Sequence, residues 1–159
     1  MAEITLQDIA HSYNPEAADK TYALNRFDMK WVDGGRYAIL GPSGCGKTTM
    51  LNIMSGIVRP SEGRLLFDGV DVPEHTTAER NIAQVFQFPV IYGTMTVQDN
   101  LAFPLVCRGY DKAFIKAKVA EVSEALNLED LLTQSANKLT ADQKQLISLG
   151  RGLVRDNGA

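Results

Sequence analysis

Cysteine is nearly absent from this chain. Only Cys45 and Cys107 occur among 159 residues, too few for a disulfide framework or a zinc site, so a reducing compartment is the default expectation. Histidine is as scarce. His11 and His75 have no second His or Cys three or four positions away, so both read as loop or surface residues. Long apolar runs are missing too: no stretch approaches the length that would suggest a membrane span. The opening Met1-Ala2-Glu3-Ile4 lacks a basic region followed by an apolar one, and no secretion signal is expected from it. There is no basic surplus. With 16 Lys and Arg against 19 Asp and Glu, the net charge is −3, which argues against nucleic acid as a main partner. Repeats and low-complexity tracts are absent as well. What remains is ordinary: 45% hydrophobic and 22% charged residues, enough for one modest domain with its own core.

One stretch is not ordinary. Gly41-Pro42-Ser43-Gly44-Cys45-Gly46-Lys47-Thr48 matches the phosphate-binding pattern G-x-x-x-x-G-K-[ST] in full. Glycines let the backbone curl so that successive N–H groups turn inward around a β-phosphate. Lys47 places an ammonium beside the β- and γ-phosphates, and Thr48 offers a hydroxyl to Mg²⁺. A helix starting here adds the positive end of its dipole. The flanks agree: residues 36–40 read as a short buried strand, and residues 48–57 as a helix with Met50, Leu51, Met54 and Ile57 on one face. The plainer alternative is a glycine-rich turn that binds nothing. Cys45 within the loop reads as a small filler residue, with an oxidation-sensitive thiol as the alternative.

Along the rest of the chain, Ile4, Leu6 and Ile9 suggest an alternating strand, and residues 24–31 a second with Phe27, Met29 and Trp31 on one side. Asp33-Gly34-Gly35 and Asp68-Gly69 are turn signals. Residues 64–67 and 81–87 read as further strands. From residue 96 to residue 132 only helices are expected. Thr96 and Thr140 open capping boxes with Asp99 and Gln143, and Asp111 caps a helix whose Ile115, Val119, Val122 and Leu126 follow 4-3-4 spacing. That stripe reads as core, with a docking face as the alternative. The last helix carries Leu146, Leu149 and Leu153.

The ordered set of markers resembles the ATP-binding subunits of ABC transporters. It comprises the phosphate loop with Thr49, Ser55-Gly56, Pro60-Ser61-Glu62-Gly63, Phe67-Asp68-Gly69, Val85-Phe86-Gln87, Met95-Thr96-Val97-Gln98-Asp99-Asn100 and Gly150-Arg151-Gly152-Leu153-Val154-Arg155. Within the family it looks most like bacterial carbohydrate or polyol importers, and residues 139–145 resemble a glycerol-uptake branch. The resemblance implies an α/β P-loop NTPase core with an antiparallel β subdomain (to about residue 87), a helical subdomain (about 88–138) and a signature helix from residue 139. It implies ATP and Mg²⁺ as cofactors. Tyr13 takes the place of the aromatic that stacks on adenine, with Tyr22 as competitor and a packing role as the plainer reading. Gly41, Pro42, Ser43, Gly44, Cys45, Gly46, Lys47, Thr48 and Thr49 hold phosphates. Gln87 reaches Mg²⁺, alongside Thr48, and the attacking water, so Gln87 and Lys47 are the catalytic candidates. Thr140 and Gln143 face the nucleotide of a second ATPase subunit, identical or not. Transmembrane permease subunits dock near Gln87 to Tyr92, where Phe88-Pro89-Val90-Ile91-Tyr92 is apolar for a loop; core packing is the alternative there. The implied location is peripheral, on the cytoplasmic side of the inner membrane, without nucleic acid.

Two departures follow. Where most members have Leu-Ser-Gly-Gly-Gln, this chain reads Leu139-Thr140-Ala141-Asp142-Gln143. Asp142 steadies a helix start but repels a phosphate. The chain also stops at Asp156-Asn157-Gly158-Ala159, before the apolar strand ending in Asp-Glu and before the switch histidine. It therefore reads as an N-terminal portion, truncated before the Walker B strand, that is inactive as given. A degenerate nucleotide-binding module without hydrolysis is the alternative function; a DNA-repair or translation ATPase is disfavoured by the acidity and by the apolar loop.

Overall fold

The computed structural model describes residues 2–72 and 74–155. The chain's last four residues, from Asp156, lie outside that set. Two compact units divide the chain, one running to Ile82 and the other beginning at Ala83.

The first unit is built on a four-stranded sheet in the order β2-β1-β3-β4. Strands β1 (Ile4–His11), β2 (Leu24–Trp31), β3 (Glu62–Phe67) and β4 (Val70–Asp71) pair antiparallel throughout. Asp68 and Gly69, at φ 50° and 78°, make the tight two-residue turn of the β3–β4 hairpin, as the Asp-Gly pair predicts. β1 does not alternate to its end. Asp8 at φ 51° marks a bulge between Gln7 and Ala10, after which Ile9, Ala10 and His11 are buried in succession. Gly63, at φ 85°, sits against this bulge: a Cβ there would lie 2.4 Å from the carbonyl oxygens of Gln7 and Asp8. His11 is therefore a core residue and not the loop or surface residue expected.

Helix α1 (Lys47–Ser55) packs Met50, Ile53 and Met54 against Leu6, Ile9, Leu24, Leu65 and Val72. The buried face differs from the sequence expectation. Leu51 and Ile57 are exposed: Ile53 shares the inward face with Met50 and Met54 at three- and four-residue spacing, and Ile57 lies past the helix end, where the left-handed Gly56 turns the chain away. Residues 36–40 and 81–87 are not strands. Neither segment has a ladder partner among the described residues, and an extended segment without one forms no sheet. Leu40 is accordingly 91% exposed. With Phe27, Ile39, Gly46 and Met50 it lines a cavity of about 280 Å³.

The second unit is helical, as expected: α2 (Val97–Cys107), α3 (Lys112–Ala125) and α4 (Ala141–Leu153), with two short 3₁₀ turns. The caps form where the sequence places them, at Thr96, Asp111 and Thr140. Val119 and Val122 of the α3 stripe join Val97, Leu101, Leu105, Leu128 and Ile147 in one core. On α4 the inward face is Ile147, Ser148 and Gly150, while Leu149 and Leu153 are exposed. Gly150 allows that approach, since a Cβ on it would lie 2.5 Å from Leu101 Cδ2. Leu101 is fully buried, and Leu101→Ala is expected to destabilise this unit by about 2–5 kcal/mol, read by urea denaturation followed through helical circular dichroism.

Candidate functional site

The Gly41–Thr48 loop enters α1 through its N-cap Gly46, at φ 91° and ψ 4°, with no side-chain cap on the helix and no acid in its first turn. The opening amides of α1 therefore have no side-chain acceptor from the cap, and the dipole end carries no carboxylate. Such an end attracts an anion. Gly46 is fixed sterically as well: a Cβ would stand 2.7 Å from the Ala23 carbonyl oxygen and 2.9 Å from Leu24 Cδ1. Lys47 folds back across the loop. Its Nζ donates to the carbonyl oxygens of Gly41 at 2.8 Å and Pro42 at 2.7 Å and lies 3.6 Å from Cys45 Sγ. Ser43, Gly44 and Thr48 are exposed, and Cys45 is an exposed free thiol.

Thr49 is buried, and its Oγ1 lies 3.3 Å from the Tyr13 hydroxyl. Tyr13 is 60% exposed and packs edge-on against His11, with ring centroids 4.6 Å apart. The structure thus brings Tyr13 to the start of α1. Tyr22 is engaged elsewhere: its hydroxyl donates to Glu62 Oε1 at 2.6 Å, and its ring lies 4.5 Å from the Lys20 ammonium. Glu62 also accepts from Lys20 at 2.7 Å and pairs with Arg26. The hydrogen bonds from Lys20 and Tyr22 hold its carboxyl down at about 2. Burial pushes the His11 imidazole below its ordinary value.

Gln87, Thr140 and Gln143 belong to the second unit. Gln87 is exposed in an irregular segment whose backbone is fixed on both sides. Gln145 Nε2 donates to the Phe86 carbonyl at 3.0 Å, and Arg151 donates to the Val90 carbonyl at 2.6 Å while lying over the Tyr92 ring. Asn100, fully buried, accepts from the Tyr92 N–H at 2.8 Å and donates to its carbonyl at 2.9 Å. The apolar run divides: Ile91 packs into the core, while Phe88 is 77% exposed and Val90 is exposed. Thr140 and Gln143 close a reciprocal capping box, Thr140 Oγ1 accepting from the Gln143 N–H and Gln143 Oε1 from the Thr140 N–H. Asp142 is exposed in the first turn of α4. Sequence reasoning missed the roles of Ser61, Asn100, Gln145 and Arg151 as backbone anchors. Only side-chain geometry distinguishes them from other polar helix and turn residues.

An ATP phosphate chain fits the uncapped α1 terminus and the Lys47 ammonium. No group of three His, Cys, Asp or Glu side chains able to hold a metal exists among the described residues. A magnesium ion here would take the Thr48 hydroxyl and draw most of its other ligands from phosphate and water oxygens, which is its usual habit.

Comparison with known proteins agrees with this geometry. A family model described as ABC transporter matches residues 24–158. The chain is 39% identical over 155 residues to the trehalose import ATP-binding protein SugC of Mycobacterium tuberculosis, covering 98% of this chain and 38% of that protein. It is 36% identical to the sn-glycerol-3-phosphate import ATP-binding protein UgpC of Paraburkholderia xenovorans, covering 98% of this chain and 42% of that one. The chain thus spans about two fifths of these relatives. Among solved structures, the dimeric ABC transporter cassette MJ0796 superposes with a TM-score of 0.83 at 26% identity, over 95% of this chain and 69% of that one.

Gly46→Ala is expected to cost roughly 1–3 kcal/mol from left-handed backbone strain alone, with the clash at Ala23 adding to it; a thermal melt reads the loss. Acid is expected to weaken the first unit in two stages. As pH falls below 6.5, the unfolded chain takes up a proton that buried His11 resists. As it falls from 4.5 towards about 2, the stabilisation that ionised Glu62 contributes is lost. Melts across this range should show the second stage flattened in Glu62→Gln.

Proposed function

The chain belongs to the ABC transporter family, and from that membership we propose that it is the ATP-binding part of a subunit that drives uptake of a small carbohydrate or polyol. One observation carries the nucleotide reading: the Gly41–Thr48 loop ends on an uncapped helix start with the Lys47 ammonium folded across it. The cargo class follows from the names of the relatives, trehalose import and sn-glycerol-3-phosphate import.

On this reading Lys47, Thr48, Thr49 and the loop amides take the phosphates, Thr48 and Gln87 share Mg²⁺, and the exposed face of Tyr13 takes the adenine. Gln87 orients the attacking water, and hydrolysis is phosphoryl transfer to water, driven by positioning and charge stabilisation. Residues to about 87 form the nucleotide core, about 88–138 the helical subdomain, and 139 onward the signature helix. Thr140 and Gln143 meet the nucleotide of a second ATPase subunit, identical or not. Exposed Phe88 and Val90, carried on a segment whose backbone is held by Arg151 and Asn100, fit a docking surface for permease subunits. The subunit then sits peripherally on the cytoplasmic face of the membrane; no helix among the described residues is long and apolar enough to cross it.

A second reading has its own observation. Asp142 places a carboxylate in the first turn of α4, and Thr140 and Gln143 already spend hydrogen bonds on each other. That favours a module that holds ATP without cleaving it, or a pair with one impaired site. Lys47→Ala separates nucleotide binding from its absence: ATP affinity by calorimetry is expected to fall at least about tenfold, and an unchanged affinity would overturn both readings. Phosphate release by the complete subunit with Asp142→Gly then tells the two apart, rising only if Asp142 is the impairment.

A further inference from the structure

The stretch between β1 and β2, residues 12–23, carries Tyr13 and has no secondary structure of its own to hold it. Two consecutive residues hold it from outside. Ser61 takes the start. Its Oγ accepts from the Ser12 N–H at 3.2 Å, donates to the Ser12 carbonyl at 3.1 Å and lies 3.2 Å from His11 Nδ1. With the hydroxyl proton committed to the Ser12 carbonyl, the His11 contact is an Nδ1–H donating to Ser61. His11 Nε2 is then an unprotonated nitrogen, buried without a partner, which costs less than burying an N–H there. The imidazole so oriented presents itself to the ring of Tyr13. The Ser61 N–H is also bonded to the Ala10 carbonyl at 3.1 Å, which fixes the serine to β1 itself.

Glu62 takes the end of the stretch, through Lys20 at 2.7 Å, the Tyr22 hydroxyl at 2.6 Å and Arg26 at the start of β2. The Ala23 N–H, bonded to the His11 carbonyl at 3.0 Å, also ties the end of the loop to β1, and between the anchors the loop places the Tyr13 hydroxyl on Thr49 of α1.

We propose that Ser61 and Glu62 are positioning residues that clamp both ends of this loop and so set the ring of Tyr13 for contact with the base of a bound nucleotide. The proposal deepens the reading of Tyr13 given above and rests on it. It assigns Ser61 an effect greater on the base than on the phosphates, because its hydrogen bonds run to residues 10–12 and none to residues 41–48.

Calorimetry of the full chain with ATP and with inorganic tripolyphosphate tests it. Tyr13→Ala and Ser61→Ala are each expected to weaken ATP by about fivefold or more and to weaken tripolyphosphate by a smaller factor, through the contact of the Tyr13 hydroxyl with Thr49. Ser61→Thr, which keeps the hydroxyl, should restore ATP binding, and Ser61→Ala should add nothing in a Tyr13→Ala background. Equal weakening of both ligands, or independent losses from the two substitutions, would overturn the clamp. Glu62→Gln carries the same comparison if Ser61→Ala does not fold. A neutral Tyr13→Ala overturns the base contact and this proposal while leaving the phosphate site standing. A parent chain that binds neither ligand overturns the nucleotide reading itself.

Discussion

The close seat of Gly46 on the Ala23 carbonyl governs where α1 and the loop before it point. The loop before it has no sheet ladder to guide it, because residues 36–40 are not paired. Its direction is set instead at its far end, where the left-handed Gly46 lies against the entry to β2 and α1 begins. Met50, Ile53 and Met54 then weld the helix to the sheet. Arg80, buried, donates to the carbonyls of Ile53 and Met54 near the other end of the helix, which suits the negative end of its dipole. Both ends of α1 are thus tied to neighbouring chain, and its opening amides inherit their aim from those ties.

The second unit follows a similar economy. One side of α4 reaches the irregular segment around Gln87 through Gln145, Ser148 and Arg151, three residues apart in succession. That spacing places them along one helix face. They bond to backbone atoms of Phe86 and Val90, so the segment is held by its main chain while Gln87 and Phe88 stay exposed. Asn100 fixes the far side at Tyr92. A displacement of α4 would carry the Gln87 segment with it.

Much of this was legible in the residues. The glycine-rich loop that runs into α1, the three helix caps and the Asp68-Gly69 turn are local chemistry, written within a few positions, and each lies where the pattern puts it. Strands β1 and β2 were visible from their apolar residues. The failures are non-local. Residues 36–40 and 81–87 have the composition of strands, but a strand exists only with a partner, which no window of its own sequence supplies. Leu51, Ile57, Leu149 and Leu153 share the spacing of a core face, yet the neighbours that decide burial come from elsewhere in the chain. His11 was misjudged because a bulge at Asp8 re-aims the end of β1. In the sequence Ser61 and Arg151 stand only within family markers, and nothing near them tells what they hold.

The ammonium of Lys47, bonded to two carbonyls of its own loop, bears on the kinetics of capture. A loop already laced across by its own side chain loses little chain entropy when a ligand arrives, so the cost of immobilisation that usually slows or weakens association is largely met in advance. On the nucleotide reading proposed above, capture would exchange the carbonyl partners of the Lys47 ammonium for phosphate oxygens. The moving part would then be one side chain and not the backbone of the loop.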